Sequence, residues 1–265
     1  MRNVIVATLA AVGMVGCSAA IADGTEDAVA ATHRPTAVTT PPSPGETVRV
    51  GGDVDAVVKR TNGEYLSAGL RIDTPLPEGY PEPTPPGAID LKGYPTVRRA
   101  EFSGEGSVDR GQNRGFWPLF QHIKDREIAM TSPVEMELRD WEADSTQPPS
   151  AWTMSFLYRS ATLGPTGEDG AVIVRDTEPI TVVAIGLRGE YKQERFDAAL
   201  DTLSQWLDVN PAWERSGEAR WLGYNGPTWF RAKWSEVQIP VRAVAAPPEG
   251  DAGASVAPDG AGPAE

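Results

Sequence analysis

Cysteine is almost missing from this chain: Cys17 is the only one in 265 residues. A single thiol cannot form an internal disulfide, so stability has to come from packing even if the protein works outside the reducing cytosol. Histidine is nearly as scarce, with His33 and His122 alone, and the two types together are too few to assemble a zinc-ligand set. Positive charge is also short. The 24 Lys and Arg against 37 Asp and Glu give a net charge of −13, and no clustered basic patch is present of the kind that phosphate binding requires, so no nucleic-acid partner is expected. No Gly-rich phosphate loop leads into a helix, no Gly-x-Ser-x-Gly elbow occurs, and a serine triad would have to recruit His122. The expectation is a protein that is not an enzyme. The carboxylates Glu135, Glu137, Asp140 and Glu142 read as a solvated face beside a strand, although carboxylate catalysis of the glycosidase type stays open on sequence grounds.

An apolar run from Val4 to Val15 ends in Met14-Val15-Gly16-Cys17, with Ser18 following. The run is too short to cross a bilayer as a mature helix and matches the h-region of a signal peptide. A Cys directly after small residues resembles the lipobox of bacterial lipoproteins. That resemblance implies removal of residues 1–16 and lipidation of Cys17, palmitate included. The lipid bilayer would then be a partner, and the protein would sit in the cell envelope, facing the periplasm or on the outer membrane. Ser18 does not resemble an inner-membrane retention signal. An ordinary signal peptide with a chance Cys at its end is the alternative.

Composition divides the rest. Residues 17–46 are rich in Ala, Thr and Pro and read as a disordered tether that cannot bury enough surface to offset its ordering entropy. Residues 47–87 form an N-terminal extension with modest alternation at Val48, Val50, Val54, Val57 and Val58, then a Pro-rich loop from Pro75 to Gly87 that holds six prolines. Residues 88–243 are long enough for one domain with its own core. Residues 244–265 read as a disordered tail.

Within the core, Ile89 to Phe102 looks like strand, followed by a Gly-rich stretch. Phe116, Leu119, Phe120 and Ile123 then fall at helical spacing. Ile128, Met130, Val134, Met136 and Leu138 mark an extended segment interrupted at Pro133, and Trp152 to Tyr158 alternates as a strand. In the second half Ile180 to Gly189 is strand-like. A helix from about Gln193 to Asp208 carries Phe196, Ala199, Leu200, Leu203 and Leu207 on one stripe, and Asn210-Pro211 stops it. Strands return at Trp221–Tyr224 and Val237–Val241. Both halves run strand, Gly-containing loop, helix, strands, the mark of an internal duplication around a shared sheet or barrel.

These segments resemble the SOUL heme-binding protein family. The resemblance is carried by Ile128-Ala129-Met130-Thr131-Ser132-Pro133-Val134, by Trp152-Thr153-Met154-Ser155-Phe156, by Gly186-Leu187-Arg188-Gly189, by Leu222-Gly223-Tyr224-Asn225-Gly226-Pro227, and by Ser235-Glu236-Val237-Gln238-Ile239-Pro240-Val241. It implies an α+β fold, a distorted antiparallel β-barrel or sheet of two similar halves flanked by two helices. It also implies a binding protein for heme, held non-covalently, or another tetrapyrrole, in an apolar groove between the first helix and the loop at 224–230. The groove residues carried over are Trp117, Phe120, Gln121 and Lys124 on the helix and Tyr224, Pro227, Trp229, Phe230 and Arg231 on the loop. A porphyrin needs a flat apolar floor and one or two cations for its propionates. Trp117, Trp229 and Phe230 suit the first need, and Lys124 and Arg231 the second; packing and surface solvation are the plain alternatives. His122 is the sole histidine within the domain to offer iron a nitrogen, or else it merely packs. In Met130-Thr131-Ser132-Pro133 the proline forbids a regular central strand, and the two hydroxyls can satisfy the backbone groups freed at the bend.

Related GyrI-like effector-binding domains share the two-half architecture, and some use a cavity carboxylate for cationic small molecules. Glu236 is the residue here that could play that part, binding, or conceivably hydrolysing, another hydrophobic small molecule. It could equally face solvent and pair with Lys233 or Arg242. A third reading is an envelope interaction module without a ligand.

Overall fold

The computed structural model describes residues 38–106, 108–142, 149–226 and 232–244, and residues 108–113 as helix backbone alone. Cys17, His33, Pro227, Trp229, Phe230 and Arg231, with the tether and tail expectations, lie outside them. In chain order the elements are β1 (Thr47–Gly52), β2 (Lys59–Thr61), β3 (Glu64–Ser67), β4 (Leu70–Ile72), β5 (Ala88–Tyr94), β6 (Arg98–Glu105), α1 (Val108–Asp125), β7 (Val134–Arg139) and β8 (Ala151–Leu157). They continue with β9 (Gly167–Asp169), β10 (Val172–Asp176), β11 (Ile180–Gly189), α2 (Gln193–Asp208), β12 (Trp213–Arg215), β13 (Arg220–Gly223) and β14 (Lys233–Ala243).

One antiparallel sheet runs in the order β1-β5-β11-β14-β13-β7-β8-β6-β10-β9, with β12 also on β14, and β2-β3-β4 make a small second sheet. The duplication is visible in that order. Each half goes strand, helix, strand, strand, and its last strand lies between the other two: β8 between β6 and β7, β14 between β11 and β13. The halves join where β7 pairs with β13.

The sheet is rolled. Five strands separate β5 from β6, and five separate β10 from β11, yet each pair is joined by three residues, 95–97 and 177–179. Six interstrand steps in a flat sheet would span about 29 Å, whereas four Cα steps reach about 15 Å. The edges therefore curl toward each other, and the two connectors bond across the gap: Val97 N–H donates to Thr177 Oγ1, and Thr177 N–H to the Val97 carbonyl, both at 3.0 Å. No strand-to-strand ladder closes the ring among the described residues, so this is an open roll, not a barrel.

Alternation divides the residues between two walls. The outer wall takes Leu91, Ala100, Met136, Leu138, Met154, Phe156, Val183, Val237 and Ile239, and both helices cover it, α1 with Leu119 and Ile123 and α2 with Phe196, Ala199, Leu200 and Leu203. The inner wall takes Tyr94, Val182, Ala184, Leu222, Tyr224 and Trp234 together with buried Lys92, Glu135, Arg220, Glu236 and Gln238. Pro240 fits in β14 because it falls between the stretches paired to β13 and to β12.

Two expectations change, and a third gains detail. The first helix starts at Val108, so the Gly-rich stretch is partly helical. Gly115 is there for contact, since a Cβ would come within 3.0 Å of the Trp152 ring and 3.2 Å of Met154. Ile89 to Phe102 is two strands, because Pro95 removes a ladder donor, and they lie toward opposite edges of the sheet. The extension at 47–87 is structural: β1 pairs with β5, and Pro75–Gly87 crosses the inner wall as a strap. Pro75 accepts from Ser132 N–H at 2.9 Å and Gly87 N–H donates to the Gly186 carbonyl at 2.8 Å. At Gly186 a side chain would meet the Pro85 carbonyl oxygen at 2.2 Å.

Candidate functional site

Most buried charges of the inner wall form one chain of hydrogen bonds; Asp90 pairs instead with Arg49. Strand alternation places Lys92 of β5 and Glu236 and Gln238 of β14 on the same wall, and Lys92 and Glu236 are fully buried. Lys92 Nζ donates to both Glu236 oxygens at 3.0 Å. Glu236 Oε1 also accepts from Thr84 N–H and the Tyr224 hydroxyl, each at 2.7 Å, and Oε2 from Gln238 Nε2 at 2.6 Å. Gln238 Nε2 reaches Tyr94 OH at 2.8 Å, and Gln238 Oε1 accepts from Arg220 Nε at 2.9 Å. Arg220 Nη1 and Arg99 Nη1 converge on Glu135 Oε2 at 3.3 and 3.2 Å, and Tyr80 OH donates to Glu135 Oε1 at 2.5 Å. Thr84 and Tyr80, both on the strap, cap the two ends.

Electrostatics follow from that geometry. Burial acts to lower the Lys92 pKa, but the Glu236 carboxylate, with Tyr94 and Asp90, outweighs it and holds the ammonium above its usual value. Burial acts to raise Glu135, and the Arg220 and Arg99 guanidiniums outweigh it, leaving the carboxyl below the ordinary glutamate range. Burial pushes Tyr94 up to about 12, and burial with Glu236 or Glu135 nearby raises Tyr224 and Tyr80 well above a free phenol.

Glu236 is thus buried and not paired with Lys233 or Arg242. Its cation is already supplied by Lys92, and its lone pairs are taken from within the chain, which leaves no acceptor for a cationic ligand. Glu135 corrects the reading of a solvated acidic run: it is buried in the network, while Asp140 and Glu142 are exposed.

The helix residues sit elsewhere. Trp117 is 65% exposed, and Phe116 and Phe120 beside it are half-buried. Phe116 stacks on Phe120 at 5.8 Å between centroids, Trp117 meets Phe120 edge-on at 6.0 Å, and Phe116 meets Phe156 at 5.3 Å. Gln121 and Lys124 are exposed, with Gln121 bonded to Asp125 at 2.6 Å. Tyr224 does not join this set: its hydroxyl is spent on Glu236 on the inner wall, whereas α1 covers the outer one. The expected groove loses that member.

His122 turns inward. Its Nδ1 lies 2.5 Å from Asp169 Oδ2, and its Nε2 2.7 Å from Tyr158 OH. A carboxylate can only accept, so Nδ1 carries a proton to Asp169, and Nε2 shares its hydrogen bond with the Tyr158 hydroxyl. Both nitrogens are committed, which removes His122 as an iron ligand in this arrangement. Among the described residues no group of three or more His, Cys, Asp or Glu could hold a metal ion, and no helix is long and apolar enough to cross a membrane. Thr131 and Ser132 behave as expected, donating to the carbonyls of Leu157 at 2.6 Å and Tyr224 at 2.7 Å.

The inner network was missed in the sequence apart from Glu236. The available signal was the polar alternation Asp90-Lys92-Tyr94 and Glu236-Gln238 inside runs otherwise read as core strands.

A cleft of about 400 Å³ opens beside the network at the gap between the sheet edges, lined by Tyr80, Tyr94, Val97, Glu135, Leu157 and Arg220 among others.

Comparison with protein families matches the model described as SOUL heme-binding protein to residues 83–240. Comparison with curated proteins found no match. Among solved structures, the chain is similar to EcmrR in an EcmrR–DNA complex, at 17% identity and a TM-score of 0.48 over 59% of this chain, and it spans 57% of that one. It is similar to the EcmrR C-terminal domain at 18% identity and a TM-score of 0.47, covering 59% of this chain and 98% of that one. A hydrolase from Listeria innocua is similar at 11% identity and a TM-score of 0.43, with 61% and 94% covered.

Proposed function

The chain belongs to the SOUL heme-binding protein family, and from that premise we propose that it is a non-enzymatic binding protein for a flat, hydrophobic small molecule, heme or another tetrapyrrole. The ligand lies on the outer edge of α1. The observation that carries this reading is Trp117, an indole left 65% exposed and flanked by the rings of Phe116 and Phe120. A bare aromatic ridge on a protein that buries Trp141, Trp152, Trp213, Trp221 and Trp234 marks a contact surface. Heme fits it in one respect and not in another. The ridge offers a flat apolar face, and Lys124, one turn below Phe120, offers a cation to a propionate. His122 offers the iron nothing, so the macrocycle is held by its face and carboxylates. Heme, when bound, would supply a tetrapyrrole to be carried.

Cys17 bears the lipid that holds the protein in the cell envelope; a Cys17→Ala variant found in the soluble fraction, against a wild type that sediments with membranes, is the expected result, and equal partition would remove the anchor.

The binding reading is tested by titrating hemin into the purified protein while following the Soret band and tryptophan quenching. Saturable binding is expected, weakened about tenfold or more in Trp117→Ala, since a stacked aromatic contact and its buried area contribute about 1.5–3 kcal/mol. His122→Gln should leave the Soret position unchanged. No saturable signal in the wild type, or equal binding by Trp117→Ala, would overturn it.

A further inference from the structure

The cleft at the open edge of the rolled sheet has no part in the α1 reading, and its floor holds a donor without an acceptor. Arg220 is 5% exposed. Its Nε and Nη1 are used by Gln238 and Glu135, but Nη2 is buried with no hydrogen-bond partner among the described residues. Buried guanidinium nitrogens are rarely left this way, because the loss of water has to be made good by an acceptor. The guanidinium carbon lies 5.0 Å from the centroid of the Tyr94 ring, another wall of the cleft. Tyr94 OH accepts from Gln238, which leaves its own hydrogen to donate. The floor is therefore built to meet an oxygen that accepts.

Above the floor the walls are apolar, from Val97, Leu157, Ile180 and Pro240. The rim carries both signs and is acidic on balance. Arg99 and Arg175 line it, each held by Glu101, and Arg175 also feels the charge of Glu137. Asp176 and Glu218 are paired with Arg98 and Arg215, which leaves Glu137 and the exposed Glu178 lining the cleft without an ion pair among the described residues. A volume of about 400 Å³ lies in the range of small-molecule sites, about 300–1,000 Å³.

We propose that this cleft is a second ligand site, for a small molecule with a carboxylate or carbonyl head bound at Arg220 and Tyr94, an apolar middle, and a cationic tail at the Glu137 and Glu178 rim. The head and the tail must be separated by the apolar body, which excludes simple α-amino acids and favours ω-amino carboxylates and their arylalkyl counterparts. The strap sets the depth of the site: Tyr80 holds Glu135 from above, and the Arg220 and Arg99 guanidiniums offset the charge of that carboxylate.

The probe is 4-(aminomethyl)benzoate, with benzoate and benzylamine as its single-ended halves, titrated calorimetrically into the whole protein. The doubly charged compound is expected to bind about tenfold or more tightly than either half, since each end adds a charge-assisted hydrogen bond. Arg220→Lys keeps the charge beside Glu135 and loses the free arm of the fork, and should weaken the probe about tenfold. Because that position is buried, Tyr94→Phe and the exposed Glu178→Gln carry the test if the lysine variant fails to fold. The first should weaken probe and benzoate alike, and the second should erase the probe's advantage over benzoate. If the three compounds bind equally or not at all, or if all the folded variants bind as the wild type does, the site is overturned. Hemin binding serves as an independent control, unchanged in Tyr94→Phe and Glu178→Gln whatever the probe does.

Discussion

The outer and inner walls of the sheet are buried by different means. On the outer wall, Leu119 and Ile123 of α1 and Phe196, Leu200 and Leu203 of α2 press on Val183, Met136, Met154 and Val237, and burial of apolar area suffices, at about 1.5–3 kcal/mol for each large side chain. On the inner wall, Lys92, Glu236, Gln238, Arg220 and Glu135 are buried as charges and amides, and a proline-rich strap supplies the last two hydrogen bonds from Thr84 and Tyr80. An apolar wall tolerates any partner of suitable volume. The polar wall tolerates one partner in one register, because each member leaves a buried group unsatisfied when it goes.

The largest expected effect comes from removing one charge. Lys92→Met leaves Glu236 ionised and unpaired in the interior, and should cost about 3–5 kcal/mol in urea unfolding. Leu203→Ala on the outer wall should cost about 2–5 kcal/mol, so single substitutions barely distinguish the walls. Double substitutions do. Lys92→Met with Glu236→Gln should recover a good part of the loss. Leu203→Ala with Met136→Ala, on separate elements of the outer wall, should be close to the sum of the singles. Additive losses in the Lys92 and Glu236 pair would mean that the inner network is a set of independent contacts.

A smaller effect tests whether the strap belongs to the inner wall or merely lies over it. Gly186→Val places a side chain where the Pro85 and Thr84 carbonyl oxygens stand, 2.2 and 2.4 Å from the new Cβ. The strap has to lift, at about 1–3 kcal/mol, the usual range for overpacking. Limited proteolysis should then cut within 75–87 while the outer wall stays protected. A variant as resistant as the wild type would show that the strap accommodates the change without leaving the network.

The walls also differ in how well the sequence displays them. The stripe Phe196, Ala199, Leu200, Leu203 reproduced α2 to its observed ends, Gln193 and Asp208, because a helix declares its buried face over a dozen neighbouring residues. The duplication was legible for the same reason, as local order repeated. Glu135 was misread because a carboxylate beside Glu137 and Asp140 has no local mark of burial. Its partners are Tyr80, 55 residues away, and Arg220, 85 residues away. The split of Ile89 to Phe102 was signalled by Pro95, but the distance between its two strands in the sheet depends on the roll, which no local pattern encodes. His122 could not be assigned a direction, since helical periodicity placed it at the edge of the stripe, and Asp169, which fixes the ring, comes 47 residues later.

Acid titration gives the smallest and most specific distinction. The Glu135 carboxyl is held below its ordinary value by Arg220 and Arg99, so its ionised form is bound more tightly in the folded state than in the unfolded chain. Its contribution is fully present above the unfolded glutamate value of about 4.3 and is lost as pH falls through the lower folded value. Stability differences between wild type and Glu135→Gln, read from urea unfolding, should therefore be constant from neutral pH down to about 5 and shrink below about 4. The half-buried Asp169 and the exposed Asp176, also depressed by their partners, titrate in both proteins and cancel in the difference. Leu203→Ala supplies the outer-wall counterpart, with a loss that holds through the same pH range because nothing it touches changes charge. A Glu135→Gln gap that stayed flat to pH 3 would mean that Arg99 and Arg220 are satisfied without the carboxylate, and the inner wall would then owe its stability to shape, as the outer one does.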